Sequence, residues 1–228
     1  MRVDIWSDVV CPFCYIAKKR LEAAAEESGV ELEVFWHSYQ LDADAPTSLQ
    51  ISNTERLAQK YGRSLEEVVE MQRNIAEMAK AEGIEFNWEK ANSGNTFNAH
   101  RLIHLAQSKG LGNEAKEAFF YSYMTQGLAI GERETLEDVA SRIGLNPVEV
   151  DDLLDSDEFA DFVKYDEEVA RDQLKISGVP FFVFEQRIAL AGAQPKEVFK
   201  QVMDKAAELP EIAPTPVCSD DSCETPEK

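Results

Sequence analysis

The 228 residues carry 23 Lys and Arg against 43 Asp and Glu, a formal charge of −20, and 44% of them are hydrophobic. That length and apolar share are enough for the core of one elaborated domain without staples. The acidity argues against nucleic acid and anionic membrane surfaces as partners, and no apolar run approaches the roughly 18 to 20 residues of a membrane span. The first ten residues hold Arg2, Asp4 and Asp8 and lack a long apolar stretch, so no secretory signal is expected. The expected compartment is the cytoplasm.

In chain order, Val3 to Val10 reads as a strand, Pro12 to Ser28 as a helix stopped by Gly29, and Glu31 to Leu41 as a second strand. Those three segments form a βαβ unit. Residues from about 47 to 174 are helical in pattern, punctuated by Gly83, Gly110, Gly127 and Gly144. Ser64 with Glu67 and Thr135 with Asp138 have capping-box spacing, and Asn146-Pro147 supplies a cap and first helical position. Pro180 to Phe184, a polar turn at Glu185-Gln186 and Arg187 to Ala191 predict a hairpin, and Pro195 opens a helix reaching about Glu208. The expected fold class is α/β, a βαβ unit and a ββα unit separated by a large all-helical insertion. The expected divisions are 1–46, 47–174 for the insertion, 175–209, and an acidic, proline-containing tail at 210–228.

Cys11-Pro12-Phe13-Cys14 sits where the first strand meets the first helix. Thiols spaced i, i+3 at a helix start can close a disulfide within one turn. The first of them faces unpaired N–H groups and the positive end of the helix dipole. Such cysteines titrate at roughly 3.5 to 7.5 rather than near 8.5, so Cys11 is expected to be exposed and biased toward thiolate, with Cys14 shielded one turn in. The pair reads as a redox couple. A zinc half-site is the competing reading, but the remaining cysteines, Cys218 and Cys223, lie far off in the tail. No metal is assigned.

Three histidines stand as further candidates. His100 and His104, one helical turn apart, lack a carboxylate in a recognised metal-binding spacing. His100 either tunes the thiolate or is packed as a structural residue. His37 ends a predicted strand and is a weaker candidate for lining the site. Trp6, Trp36 and Trp88 read as core, Trp6 near the redox helix.

Four segments in order carry a family resemblance: Ser7-Asp8-Val9-Val10-Cys11-Pro12-Phe13-Cys14-Tyr15, Asn95-Thr96 with Ala99-His100-Arg101-Leu102, Gly178-Val179-Pro180-Phe181-Phe182-Val183-Phe184, and Ala191-Gly192-Ala193-Gln194-Pro195. Over nearly the whole chain it resembles the DsbA-like thioredoxin-fold oxidoreductases, specifically their cytosolic FrnE-like branch. The resemblance implies a thioredoxin-like fold, Cys11 as nucleophile, Cys14 as resolving thiol, and Pro180 in a cis bond that sets the Val179 backbone beside the disulfide. Phe13 departs from the His of strongly oxidising relatives, and Pro12-Phe13 resembles glutaredoxin-type dipeptides.

The implied activity is thiol–disulfide exchange with protein thiols and disulfides or glutathione-type small thiols, without a bound cofactor. Direction, substrate and oligomeric state are not implied. Two readings compete. Kappa-class glutathione transferases and chromene-carboxylate isomerases share the architecture but usually carry Ser where this chain has Cys11, and a redox-regulated holdase would use the thiols only to set its state. Cys218 and Cys223 close too short a loop to stabilise the fold by more than roughly 2 kcal/mol, which leaves them as a candidate accessory redox pair, against incidental or metal-chelating thiols in the tail.

Overall fold

The computed structural model describes residues 1–48 and 50–210. A four-stranded sheet runs in the order β2 (Glu33–Ser38), β1 (Arg2–Ser7), β3 (Phe181–Phe184), β4 (Ile188–Ala191). β1 pairs parallel with β2 and antiparallel with β3. Between β1 and β2 lies α1 (Pro12–Ser28), and after β4 comes α9 (Lys196–Ala207). The chain between β2 and β3 forms α2 (Asn53–Tyr61), α3 (Leu65–Ala81), α4 (Phe97–Ser108), α5 (Gly112–Met124), α6 (Arg133–Arg142), α7 (Pro147–Leu154) and α8 (Ala160–Glu168). A π-helical turn, Val169–Gln173, extends α8. The molecule is the α/β, thioredoxin-like arrangement expected.

Strand alternation sends Val3 and Ile5 to one face of β1 and Asp4 and Trp6 to the other, and all four are buried because helices cover both faces. On the first face Ile16, Leu21, Phe182, Phe184 and Phe199 form the core, with the Phe182 and Phe199 rings edge to face at 5.1 Å. At the outer edge of β2, α4 and α5 are tied to the strand: the Gln107 Oε1 accepts from the Trp36 backbone N–H at 2.7 Å, and the Trp36 Nε1–H, on the Ile5 face, donates to Asn113 Oδ1 at 2.7 Å. Arg101, also on α4, donates to the carbonyls of Leu153, Ser156 and Glu158. It thereby ties α4 to the last turn of α7 and to the loop that follows it.

Local signals explain most boundaries. Pro12 occupies the first position of α1, and Gly29, at φ 65°, closes it in the left-handed conformation with its N–H on Glu26 O. The Ser64–Glu67 box forms, and so does one at Ser52–Glu55 that the sequence reading did not include. Three expectations are corrected. Thr135 lies inside α6, buried, because Glu132 takes the cap position, while Asp138 pairs with Arg142. The first strand ends at Ser7 and the second spans only Glu33–Ser38, since the chain turns away toward the helices. Pro195 caps α9 instead of opening it, its ψ of 152° being extended.

A ladder of ionisable groups fastens the second face. His37 Nδ1 meets Asp166 Oδ1 at 2.8 Å and its Nε2 meets Asp4 Oδ1 at 2.9 Å, while the indole of Trp6 stacks on its ring at 4.3 Å. The other Asp166 oxygen accepts from Ser38 N–H and contacts His104 Nε2 at 3.1 Å. Burial opposes a charge on His37, but hydrogen bonds to Asp166 and Asp4 outweigh it and raise its pKa to about 9. A proton held more tightly by the folded chain stabilises it below the ordinary His value, and that stabilisation is lost as pH rises through about 9. Urea denaturation should show His37→Gln losing less stability than the wild type between about pH 6 and pH 9.5, by about 1 to 3 kcal/mol. Parallel curves for the two proteins would refute the charge.

Candidate active site

Cys11 is the N-cap of α1, with extended backbone at φ −91° and ψ 111°. Its N–H donates to Asp8 O at 3.2 Å, and its carbonyl accepts from Cys14 N–H at 3.1 Å. Both thiols are free, one turn apart. Phe13 between them is 38% exposed, but Cys11 and Cys14 are only 3% and 2% exposed. The expected exposure of Cys11 is therefore wrong, because the segment preceding β3 closes over it. Across that contact Cys11 Sγ lies 3.6 Å from Val179 O, and the Val179–Pro180 peptide is cis.

Buried charges sit beneath the sulfurs. Asp8, fully buried, accepts from Leu41 N–H at 2.8 Å through one oxygen and meets His100 Nε2 at 3.3 Å through the other. Burial resists ionising Asp8, yet the His100 hydrogen bond and its partners hold the carboxyl below its ordinary value. Burial also pushes His100 down, so a neutral ring donating its Nε2–H to an aspartate describes the pair. Lys116, from α5, is 0% exposed and donates to Ser7 O at 3.2 Å. Its burial lowers the ammonium pKa to about 8, against the opposing pull of Cys14, Asp8 and Cys11.

These surroundings act on the two sulfurs in opposite directions. Cys11 is held well above the usual thiol range by hydrogen bonding to Cys14 and by burial. Burial works against the Cys14 anion too, but Cys11, Ser7 and Lys116 together bring that thiol below its ordinary value. Lys116 beneath the pair thus favours negative charge on the sulfurs. In the sequence only the helix end was visible and the lysine below was not.

A cavity of about 90 Å³ opens beside the redox turn, lined by Val10, Pro12 and Asp8 and, from the helices, by Arg56, Lys60 and Tyr123. Two further lining groups, Gln72 Nε2 and Thr96 Oγ1, are buried without a hydrogen-bond partner. Thr54 donates to Gln72 Oε1 at 2.8 Å, which fixes the amide so that its N–H₂ is the free end.

The fold thus brings together Cys11, Pro12, Phe13, Cys14, Val179, Pro180 and His100. His37 does not join them, being held in the Asp4–Asp166 ladder, and His104 faces Asp166 and Ser38. Among the described residues no group of three His, Cys, Asp or Glu side chains is arranged to hold a metal ion. Cys218 and Cys223 lie outside the described residues. Sequence reasoning missed Lys116 and the role of Asp8. Lys116 had a signal: it stands at i, i+3, i+4 and i+7 from Phe119, Phe120 and Tyr123, which puts a cation on the apolar stripe of a helix.

Burial of both sulfurs predicts slow chemistry from outside. Alkylation of the native reduced protein at neutral pH should run at least ~10-fold slower than in denaturant, since even about 1.4 kcal/mol of local opening imposes that factor. Mass spectrometry of timed quenches checks this, and equal rates would contradict the enclosed geometry.

Comparison with known proteins agrees with this architecture. The chain is similar over its full length to a probable DsbA oxidoreductase from Streptomyces coelicolor, with 34% identity, 100% of both chains covered and a TM-score of 0.86. It is 24% identical over 204 residues to the uncharacterized protein YwbO of Bacillus subtilis, covering 89% of this chain and 96% of that one. The cytosolic disulfide reductase DsbM from Pseudomonas aeruginosa, solved with glutathione, shares the fold at 18% identity and a TM-score of 0.65, with 92% of this chain and 100% of that one covered. The DsbA-like thioredoxin domain matches residues 2–204, and with so much of its length matched the chain belongs to that family.

Proposed function

We propose that this member of the DsbA-like family is a thiol–disulfide oxidoreductase that exchanges with protein thiols and disulfides or with glutathione-type small thiols through Cys11 and Cys14. The observation that carries this reading is the approach of Cys11 Sγ to Val179 O, made across 168 residues of chain, at a pair of free thiols. An edge of backbone beside the outer sulfur is where an extended substrate can pair while its own sulfur meets Cys11. The Val179-Pro180 step, Pro12 and Phe13 are the supporting residues. The cavity beyond Pro12 accepts the other half of a small disulfide.

One proton shared by two sulfurs suits both halves of exchange. Passing it from Cys11 to Cys14 frees a Cys11 thiolate to attack a substrate disulfide, giving a mixed disulfide and a departing thiolate. Deprotonated again, Cys14 attacks Cys11 Sγ, releases the second substrate thiol and leaves the Cys11–Cys14 disulfide. Run backward, the same steps oxidise a substrate dithiol. His100 holds Asp8 ionised beside this path and so acts as a positioning residue. No bound cofactor enters the scheme. A cytoplasmic setting is part of the proposal: it suits free thiols in an acidic chain, and among the described residues no helix is long and apolar enough to cross a membrane. The helical segment 47–174 is read as the insertion that walls the site, the units 1–46 and 175–209 as its thioredoxin-like halves.

Insulin reduction and glutathione-disulfide turnover test the reading. Cys11→Ser should abolish both, a loss of at least ~100-fold. Cys14→Ser should instead accumulate a mixed disulfide at Cys11, visible by mass. Conjugation of an electrophile by glutathione that survives Cys11→Ser would transfer support to the transferase reading.

A further inference from the structure

Beside the redox turn lies buried hydrogen-bonding capacity that the chain itself does not use. Val10 and Pro12, which flank Cys11, line one side of the cavity of about 90 Å³, and α2, α3, α5 and the start of α4 line the rest. Gln72 and Thr96 in that lining are each 2% exposed, and neither Gln72 Nε2 nor Thr96 Oγ1 has a partner. Gln72 Oε1 is already taken by Thr54. Tyr123 Oη accepts from Asn53 Nδ2 at 3.3 Å, which leaves the phenol proton as a further donor. Buried polar groups left like this destabilise the fold until something binds them.

The missing partner is an acceptor. The acceptors in the cavity lining are engaged: Asp8 by Leu41 N–H and His100, Asp42 by Arg56, and Asn53 Oδ1 by Ser93. What remains is donor capacity, and an ionised carboxylate is the group that only accepts. Two positive features support it. Thr96 is the N-cap of α4, a 12-residue helix with no acidic residue in its first turn, so the positive end of that dipole lies at the cavity wall. Arg56 is paired with Asp42, but Lys60, exposed at the rim, rests on Leu41 O at 3.1 Å and among the described residues has no carboxylate partner. Size sets the other limit. A cavity of about 150 Å³ takes a benzene ring, so this smaller one suits an arm of roughly five heavy atoms and not a whole peptide.

We propose that the cavity is a subsite for small disulfides whose arms end in a carboxylate, read by Gln72, Thr96 and Lys60. The inference deepens the reading of Cys11 and Cys14 as the exchanging couple and rests on it. The enzyme dithiol passes two electrons and two protons to the substrate disulfide. The substrate S–S bond breaks, two small thiols leave and the Cys11–Cys14 bond forms. In the mixed disulfide between these states, the arm held on Cys11 lies along Pro12 with its carboxylate on Gln72 and Thr96. Those side chains touch no reacting sulfur and determine which arm is held.

The experiment compares dithiodipropionate with hydroxyethyl disulfide, which share a two-carbon spacer and differ in carboxylate against hydroxyl. Each is reduced by the full chain with dithiothreitol as reductant, and each kcat/KM is divided by the uncatalysed rate for that disulfide. The wild type should favour the carboxylate at least ~10-fold, the range of a charge-assisted hydrogen bond. Gln72→Met and Thr96→Val should each lower that preference at least ~3-fold through KM, and the double variant should abolish it. Lys60→Met should lower it too and weaken its dependence on salt. Thr96→Val replaces a hydroxyl that has no partner with a methyl of the same shape, so it carries the test if Gln72→Met does not fold.

Equal normalised rates for the two disulfides in the wild type overturn the proposal and leave the cavity a site for ordered water. A preference that persists in Thr96→Val and in the double variant overturns the assignment of the residues. If the wild type reduces neither disulfide, or if reduction survives Cys11→Ser, the exchange reading itself fails. A wild type that reduces both without preference sinks the subsite alone.

Discussion

An ionised carboxylate with no exposure has to be surrounded by donors, and Asp8 meets that requirement with groups brought from distant parts of the chain. Leu41 N–H comes from the loop after β2 and His100 from α4, at 2.8 Å and 3.3 Å. The carbonyl of Asp8 in turn accepts from Cys11 N–H. One residue therefore fastens the redox turn to the helical layer and sets the electrostatic floor under both sulfurs. Remove it, and His100 and Lys116 become buried polar groups with less to balance them.

Two sets of buried ionisable groups lie back to back across β1, and they serve different ends. In the Arg2–Asp4–His37–Asp166 chain every charge has an opposite partner within 2.9 Å, so its contribution is to hold β1, β2 and α8 in register. Around the thiols the pairing is incomplete: His100 is neutral and Lys116 leans on a backbone carbonyl and aromatic faces. The fully paired network and the partly paired one are nonetheless coupled, since Asp166 is close enough for Lys116 to feel both.

What was legible in the sequence was what depends on neighbours along the chain. Cys11 through Cys14 at a strand-to-helix junction, Gly29 as a stop, Ser64 with Glu67 as a cap and the Glu185-Gln186 turn, whose φ values are 48° and 57°, all follow from local chemistry. Thr135 failed because capping depends on where the preceding loop ends, and Glu132 reached that position first. The burial of Cys11 was not legible at all, since it is imposed by Val179. A helix end is visible in one dimension, whereas a lysine arriving from α5 under the opposite side of Cys14 is a property of packing.

The antiparallel pairing of β1 with β3 joins distant parts of the chain, with Val3 opposite Phe184 and Trp6 opposite Phe181. During synthesis β1 emerges well before β3 and can pair with β2 promptly, but its other edge has no partner until β3 has left the ribosome. For that interval the nascent chain displays an open strand edge ending in two uncovered thiols. The long span of helices between β2 and β3 lengthens the interval. Exposure to oxidants and to foreign strands is then greatest before the protein is finished, and the closing hairpin serves as the cover.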